Sequence, residues 1–154
     1  VGVLKEVSTE RRGEAMSTRR RRVLVVDDSE TLRRLVTLSL RFLEGCEVVE
    51  ASNAYEALRL LKEQPFDLAI VDIYMPEISG LQLLGIIKSD PNLRSIPVII
   101  LTTARGEEDR RRGMELGADR YLTKPFKPRV LVEVVKELLE SKGRGEEEKE
   151  GSDG

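Results

Sequence analysis

Five times along the chain a short aliphatic run gives way to a stretch with helical apolar spacing, and this alternation restricts the available folds most. Val23–Val26 is a compact β-branched run. From Leu32, residues Leu35, Val36, Leu40 and Leu43 mark a helical stripe, with Asp28 or Ser29 as its cap. A strand over Glu47–Glu50 precedes a helix capped by Ser52 or Asn53, with Ala54, Ala57, Leu58 and Leu61 inward. Leu68–Val71 is a third strand, followed by a stripe of Leu81, Leu84 and Ile87 or Lys88. Pro97 announces the strand Val98–Leu101, and a polar helix over about 106–116 ends at Gly117. Tyr121–Thr123 is the fifth strand, and Pro128 opens a last helix to about Glu140. Near-continuous apolar strands between amphipathic helices predict a parallel sheet covered on both faces. Right-handed crossovers make it a doubly wound α/β domain.

The folded part is expected over 22–141, within a chain of 154 residues. Residues 1–21 read as a flexible basic arm running into the Arg19–Arg22 cluster, with Met16 as an alternative natural start. Residues 142–154 read as a disordered acidic tail. Charge follows the same division: +4 over 1–22, −4 over 23–141 and −2 over 142–154. An acidic body argues against direct DNA binding. No apolar run approaches the ~20 residues of a membrane helix, and a cytoplasmic protein is expected. The absence of His excludes a Ser–His–Asp triad and any phosphohistidine on this chain. A single cysteine, Cys46, excludes an internal disulfide and is expected to be a small buried hydrophobe.

Carboxylates, hydroxyls and lysines remain, and their positions are informative. Asp27 and Asp28 follow strand one, Asp72 follows strand three, Thr102 follows strand four and Lys124 follows strand five. All fall at the carboxyl edge, where open α/β sheets bind ligands. In the strand order 2-1-3-4-5, strands one and three flank the switch point and the three aspartates converge. Three clustered carboxylates need a counter-charge, for which Mg²⁺ (or Mn²⁺) with oxygen ligands is the candidate. With Lys124 and the Thr102 hydroxyl, these are the parts that stabilise a transferring phosphoryl group, and Asp72 is the candidate nucleophile. Taken singly, the aspartates could merely cap helices, and Thr102 or Lys124 could be ordinary surface groups; their shared register is what argues for function.

The segments VLVVDDSE, DLAIVDIYMPEISG, PVIILTTARGEE and GADRYLTKPF resemble the receiver domain of bacterial two-component response regulators. The resemblance covers about residues 22–141 and implies a flavodoxin-like (βα)5 fold. It makes Asp72 the phosphoacceptor, Asp28 a direct Mg²⁺ ligand with Asp27 assisting, and the backbone carbonyl of Tyr74 a further ligand. Thr102 corresponds to the switch hydroxyl, Tyr121 to the switch aromatic and Lys124 to the phosphate-contacting lysine, aimed inward by a cis peptide to Pro125. A sensor histidine kinase or phosphotransfer protein is the implied donor. The implied output is a target protein at the surface of the fourth helix, fifth strand and fifth helix, in a monomer or a phosphorylation-dependent dimer. The domain is expected to be a stand-alone signalling module rather than an enzyme. Tyr74 and Ala104 flank the implied water path, so Tyr74 is expected to lengthen the phosphorylated lifetime.

A phosphorelay intermediate would use the same residues. An aspartate-based, Mg²⁺-dependent phosphohydrolase would too, but usually carries a second acid where Tyr74 stands. A nucleotide or flavin module is disfavoured because no GxGxxG or GxxxxGK[ST] loop follows strand one.

Overall fold

A computed structural model describes residues 20–103 and 106–153. The strands are β1 (Arg21–Val26), β2 (Cys46–Ala51), β3 (Leu68–Val71), β4 (Val98–Thr102) and β5 (Arg120–Thr123). The helices are α1 (Glu30–Leu40), α2 (Ala54–Glu63), α3 (Gly80–Ser89), α4 (Glu107–Glu115) and α5 (Pro128–Asp153). All strand pairs are parallel and the order is β2-β1-β3-β4-β5, as the sequence predicts.

Period-two alternation sorts each strand between two cores. Leu24, Val26, Ala69, Val71, Val98 and Ile100 face one layer, with Ala57 and Leu61 of α2 and Leu84 and Ile87 of α3. Val23, Val25, Leu68, Ile70, Ile99 and Leu101 face the other, with Val36 and Leu40 of α1 and Leu131 and Val135 of α5. Helices therefore cover both faces, and β3 and β4 are buried along their length.

Local chemistry sets the helix starts. Ser29 caps α1 by accepting from Leu32 N, and Asn53 rather than Ser52 caps α2 by accepting from Glu56 N. Glu56 reaches back to Ser52 N at 2.6 Å. Ser79 and Gln82 form a capping box at α3. Gly117 follows the end of α4 with φ +109°, in the backbone region where a side chain is strained.

Several boundaries and faces differ from the sequence reading. β1 begins at Arg21, whose amide donates to Gly45 O at 2.8 Å, so pairing reaches one residue before the expected boundary at 22. The rest of the expected arm, through residue 19, lies outside the described residues, as does Ala104. α5 runs on past Glu140 into the segment read as a disordered tail. Glu146–Lys149 are good helix formers, and continuation satisfies the carbonyls of the preceding turn. Leu35, expected inward, is exposed beside Leu38, because the buried stripe of α1 runs through Val36 and Leu40. On α3, Ile87 rather than Lys88 lies in the core; the Lys88 ammonium instead donates to Ile96 O at 2.8 Å. Cys46 is half-buried at the start of β2 rather than fully enclosed.

Candidate functional site: an acidic crevice at the sheet edge

β1 and β3 lie side by side, and the residues leaving them meet. Asp27 N donates to Ala51 O at 3.1 Å and Asp72 N to Val26 O at 3.0 Å, which carries the parallel ladder into the site. Asp27 and Asp72 are buried, whereas Asp28 is exposed at the rim. One carboxylate oxygen from each of the three lies within 4.8 Å of the others. The convergence expected of strands one and three is present.

From the far side of the sheet, β5 supplies Lys124. Its amide donates to Thr102 O at 2.8 Å, and the peptide from Lys124 to Pro125 is cis. The Lys124 ammonium stands 2.8 Å from Asp27 Oδ2 and 3.6 Å from Asp72 Oδ1. Asp27 is further oriented by Ser29 N, which donates to its Oδ1 at 2.8 Å, and Arg33 Nη1 donates to its carbonyl at 2.7 Å. Thr102 is completely buried at the end of β4.

Asp72 is the least satisfied member. Its Oδ1 is buried and accepts no hydrogen bond among the described residues, although Lys124 stands nearby. Burial is the main influence raising its carboxyl pKa, and the charge of Asp27 adds to it. A hydrogen bond from the Thr102 side chain, the charge of Lys124 and the Ile73 backbone act in the opposite sense. One lysine against three aspartates leaves the crevice with a deficit of positive charge. Hard oxygen donors, one of them a buried oxygen that accepts no hydrogen bond among the described residues, fit a divalent cation of the Mg²⁺ type.

The two aromatic candidates behave differently. Tyr121 of β5 is buried, with the Arg110 guanidinium 5.5 Å from its ring centre. Burial is the first cause that raises its phenol pKa. Tyr74 is exposed, and its hydroxyl donates to Asp109 Oδ2 of α4 at 2.9 Å. The sequence reading missed Asp109, Arg33 and Gly80. Asp109 lies in the helix expected to be polar over about 106–116, and nothing local distinguishes it from Glu107 or Glu108.

Fold and crevice together define a doubly wound, flavodoxin-like α/β domain with a lysine-backed carboxylate cluster at its switch point. The chain belongs to the response regulator receiver domain family, whose family model matches residues 23–136. It is 39% identical over 127 residues to the phosphate regulon transcriptional regulatory protein PhoB of Pseudomonas aeruginosa, covering 82% of this chain and 55% of that protein. The chain thus spans about half the length of the PhoB proteins it matches. Protein PilG of the same organism is 36% identical over 115 residues, covering 75% of this chain and 84% of PilG. Among solved structures, a CheY-like receiver domain protein from Methanospirillum hungatei JF-1 superposes with a TM-score of 0.76 at 32% identity, covering 82% of this chain and 98% of that one. The chemotaxis protein CheY4 of Vibrio cholerae gives 0.72 at 31% identity, covering 77% and 98%.

Proposed function

We propose that the protein is a phosphorylation-controlled signalling domain that takes a phosphoryl group on Asp72 from a phosphohistidine of another protein. The observation that carries this reading is the buried Asp72 Oδ1, which accepts no hydrogen bond among the described residues, with the Lys124 ammonium 3.6 Å away. Attack by a carboxylate oxygen of Asp72 forms the new P–O bond as the donor's P–N bond breaks. The departing imidazole nitrogen takes the electron pair. Lys124 supplies a point charge to the phosphoryl oxygens in flight, and Thr102 a hydroxyl for one of them afterwards.

Asp27, Asp28, Asp72 and the Tyr74 carbonyl would hold Mg²⁺ or Mn²⁺. When bound, the cation neutralises charge on the transferring group and screens the carboxylates. The donor is a sensor histidine kinase or phosphotransfer protein, because this chain has no histidine. A phosphorylated Asp72 draws Thr102 toward it and biases Tyr121, re-shaping the α4, β5 and α5 surface toward a target protein. Signalling rather than turnover is the role, with a cytoplasmic location; among the described residues no helix is long and apolar enough to cross a membrane.

Acetyl phosphate with and without Mg²⁺, read by intact mass, tests this directly. A Mg²⁺-dependent gain of one phosphoryl group, lost in Asp72→Asn, is expected. A gain that persists in Asp72→Asn would sink the assignment. Tyr74 stands where an aspartate-based phosphohydrolase usually has its second acid, so multiple turnovers of an external phosphoester are not expected.

A further inference from the structure

α4 is held in place in an uncommon way. A helix on a sheet normally relies on a buried apolar stripe. In the sequence EEDRRRGME the buried residue of α4 is Gly113, which has no side chain to contribute, and Met114 is exposed. Among the described residues, two contacts from consecutive residues near its start tie it to neighbouring elements. Asp109 Oδ2 accepts from the Tyr74 hydroxyl at 2.9 Å, and Arg110 lies over the Tyr121 ring at 5.5 Å.

The first contact involves the loop that carries the candidate acceptor. Tyr74 is two residues beyond Asp72, on the loop that leaves β3. The residue is 57% exposed, so packing does little to select a rotamer. A hydrogen bond to a carboxylate selects one. Tyr74, Asp109 and Tyr121 lie within electrostatic reach of one another, and Asp72 acts on both tyrosines.

We propose that Asp109 is a positioning residue that anchors the Tyr74 ring over the approach to Asp72, so that α4 sets how long a phosphoryl group survives there. This rests on the phosphoacceptor reading of Asp72. In the hydrolysis concerned, a water oxygen forms the new bond to phosphorus and the P–O bond to Asp72 breaks. The carboxylate is restored, inorganic phosphate leaves and the water proton passes to solvent. A ring held across the approach lowers the probability that water reaches the in-line position. The coupling is reciprocal: a partner that draws α4 away releases the ring, and release of the ring loosens α4.

The test is the decay of the phosphorylated protein after loading with acetyl phosphate in Mg²⁺, followed by intact mass. Asp109→Ala and Tyr74→Phe should each speed decay about three- to tenfold, and the double variant no further than either alone. Asp109→Asn retains an acceptor oxygen and should stay within about twofold of the unaltered protein. Asp109→Ala, Tyr74→Phe and the double variant should share one thermal midpoint, since each removes the same contact, and rescue of the decay rate by Asp109→Asn is what a merely structural role would not give. Unchanged decay in Asp109→Ala, or additive effects in the double variant, overturns the proposal while leaving Asp72 as acceptor. Failure of the unaltered protein to take up a phosphoryl group overturns the acceptor reading itself, and this proposal with it.

Discussion

Gly80 backs directly onto the main chain of Asp72. A methyl group on Gly80 would overlap the Asp72 carbonyl oxygen and carbon, and the Gly80 amide donates to Ile73 O at 2.8 Å. The start of α3 is thereby pressed against the loop that carries the candidate acceptor. Because the obstruction is backbone, no side-chain rotation relieves it. Gly80→Ala should therefore cost about 1–3 kcal/mol, seen as a lower urea midpoint at unchanged m-value. It should also weaken Mg²⁺ binding by displacing Asp72. An unaltered midpoint would show that the loop yields without cost.

Asp72 makes stability depend on pH. Burial, assisted by Asp27, raises its carboxyl pKa, so the folded chain holds a proton there more readily than the unfolded chain does. Its contribution is therefore complete below the unfolded carboxylate pKa and is lost as pH rises through the folded value. Without added metal, Asp72→Asn should melt higher than the unaltered protein at pH 7, with the gap closing toward pH 4. Added Mg²⁺ should raise the melting point of the unaltered protein and affect the variant much less. Thermal scans across that range with and without Mg²⁺ check both.

Cys46 should be a poor nucleophile. Burial, helped by the negative charge of Asp67, pushes its thiol up to about 11. At pH 8 the thiolate population is then about a hundredfold smaller than in the unfolded chain. Iodoacetamide should label the native protein far more slowly than the urea-unfolded protein, as read by intact mass. The raised value also predicts that stability falls as pH climbs from about 9 toward 11, because only the unfolded chain loses the proton early. Cys46→Ala should lack that slope.

Gly113 presents the opposite case to Gly80. A Cβ there would meet the Tyr121 ring at 3.5 and 3.6 Å, ordinary contact distances, and the position is inside a helix. Gly113→Ala should raise stability by about 0.5–1 kcal/mol through helix propensity alone. Chemical denaturation measures it. A loss would mean that Tyr121 needs the space a methyl would occupy.

The strands, the amphipathic helices and Gly117 as a helix terminator were legible in the sequence because each depends on a period or a residue type within a few positions. Asp27, Asp28, Asp72, Thr102 and Lys124 were legible as candidates because a parallel sheet places every strand's carboxyl end at one edge. The choice between Ser52 and Asn53 as cap, or Ile87 and Lys88 as the inward residue, depends on rotations of a few tens of degrees that spacing does not specify. Leu35 was misplaced for the same reason: at 3.6 residues per turn, it borders the buried stripe without entering it.

What the sequence by itself determined, then, is the local grammar: which segments form strands, which helices cover them and which polar residues leave the strand ends together. Only tertiary structure decided that Gly80 must be glycine, that Tyr121 is buried and that the Tyr74 hydroxyl meets Asp109, 35 residues along the chain. The physical reason is that close backbone approach and side-chain pairing between elements arise only once the helices dock on the sheet. No periodicity within one element records which atom of another it will touch.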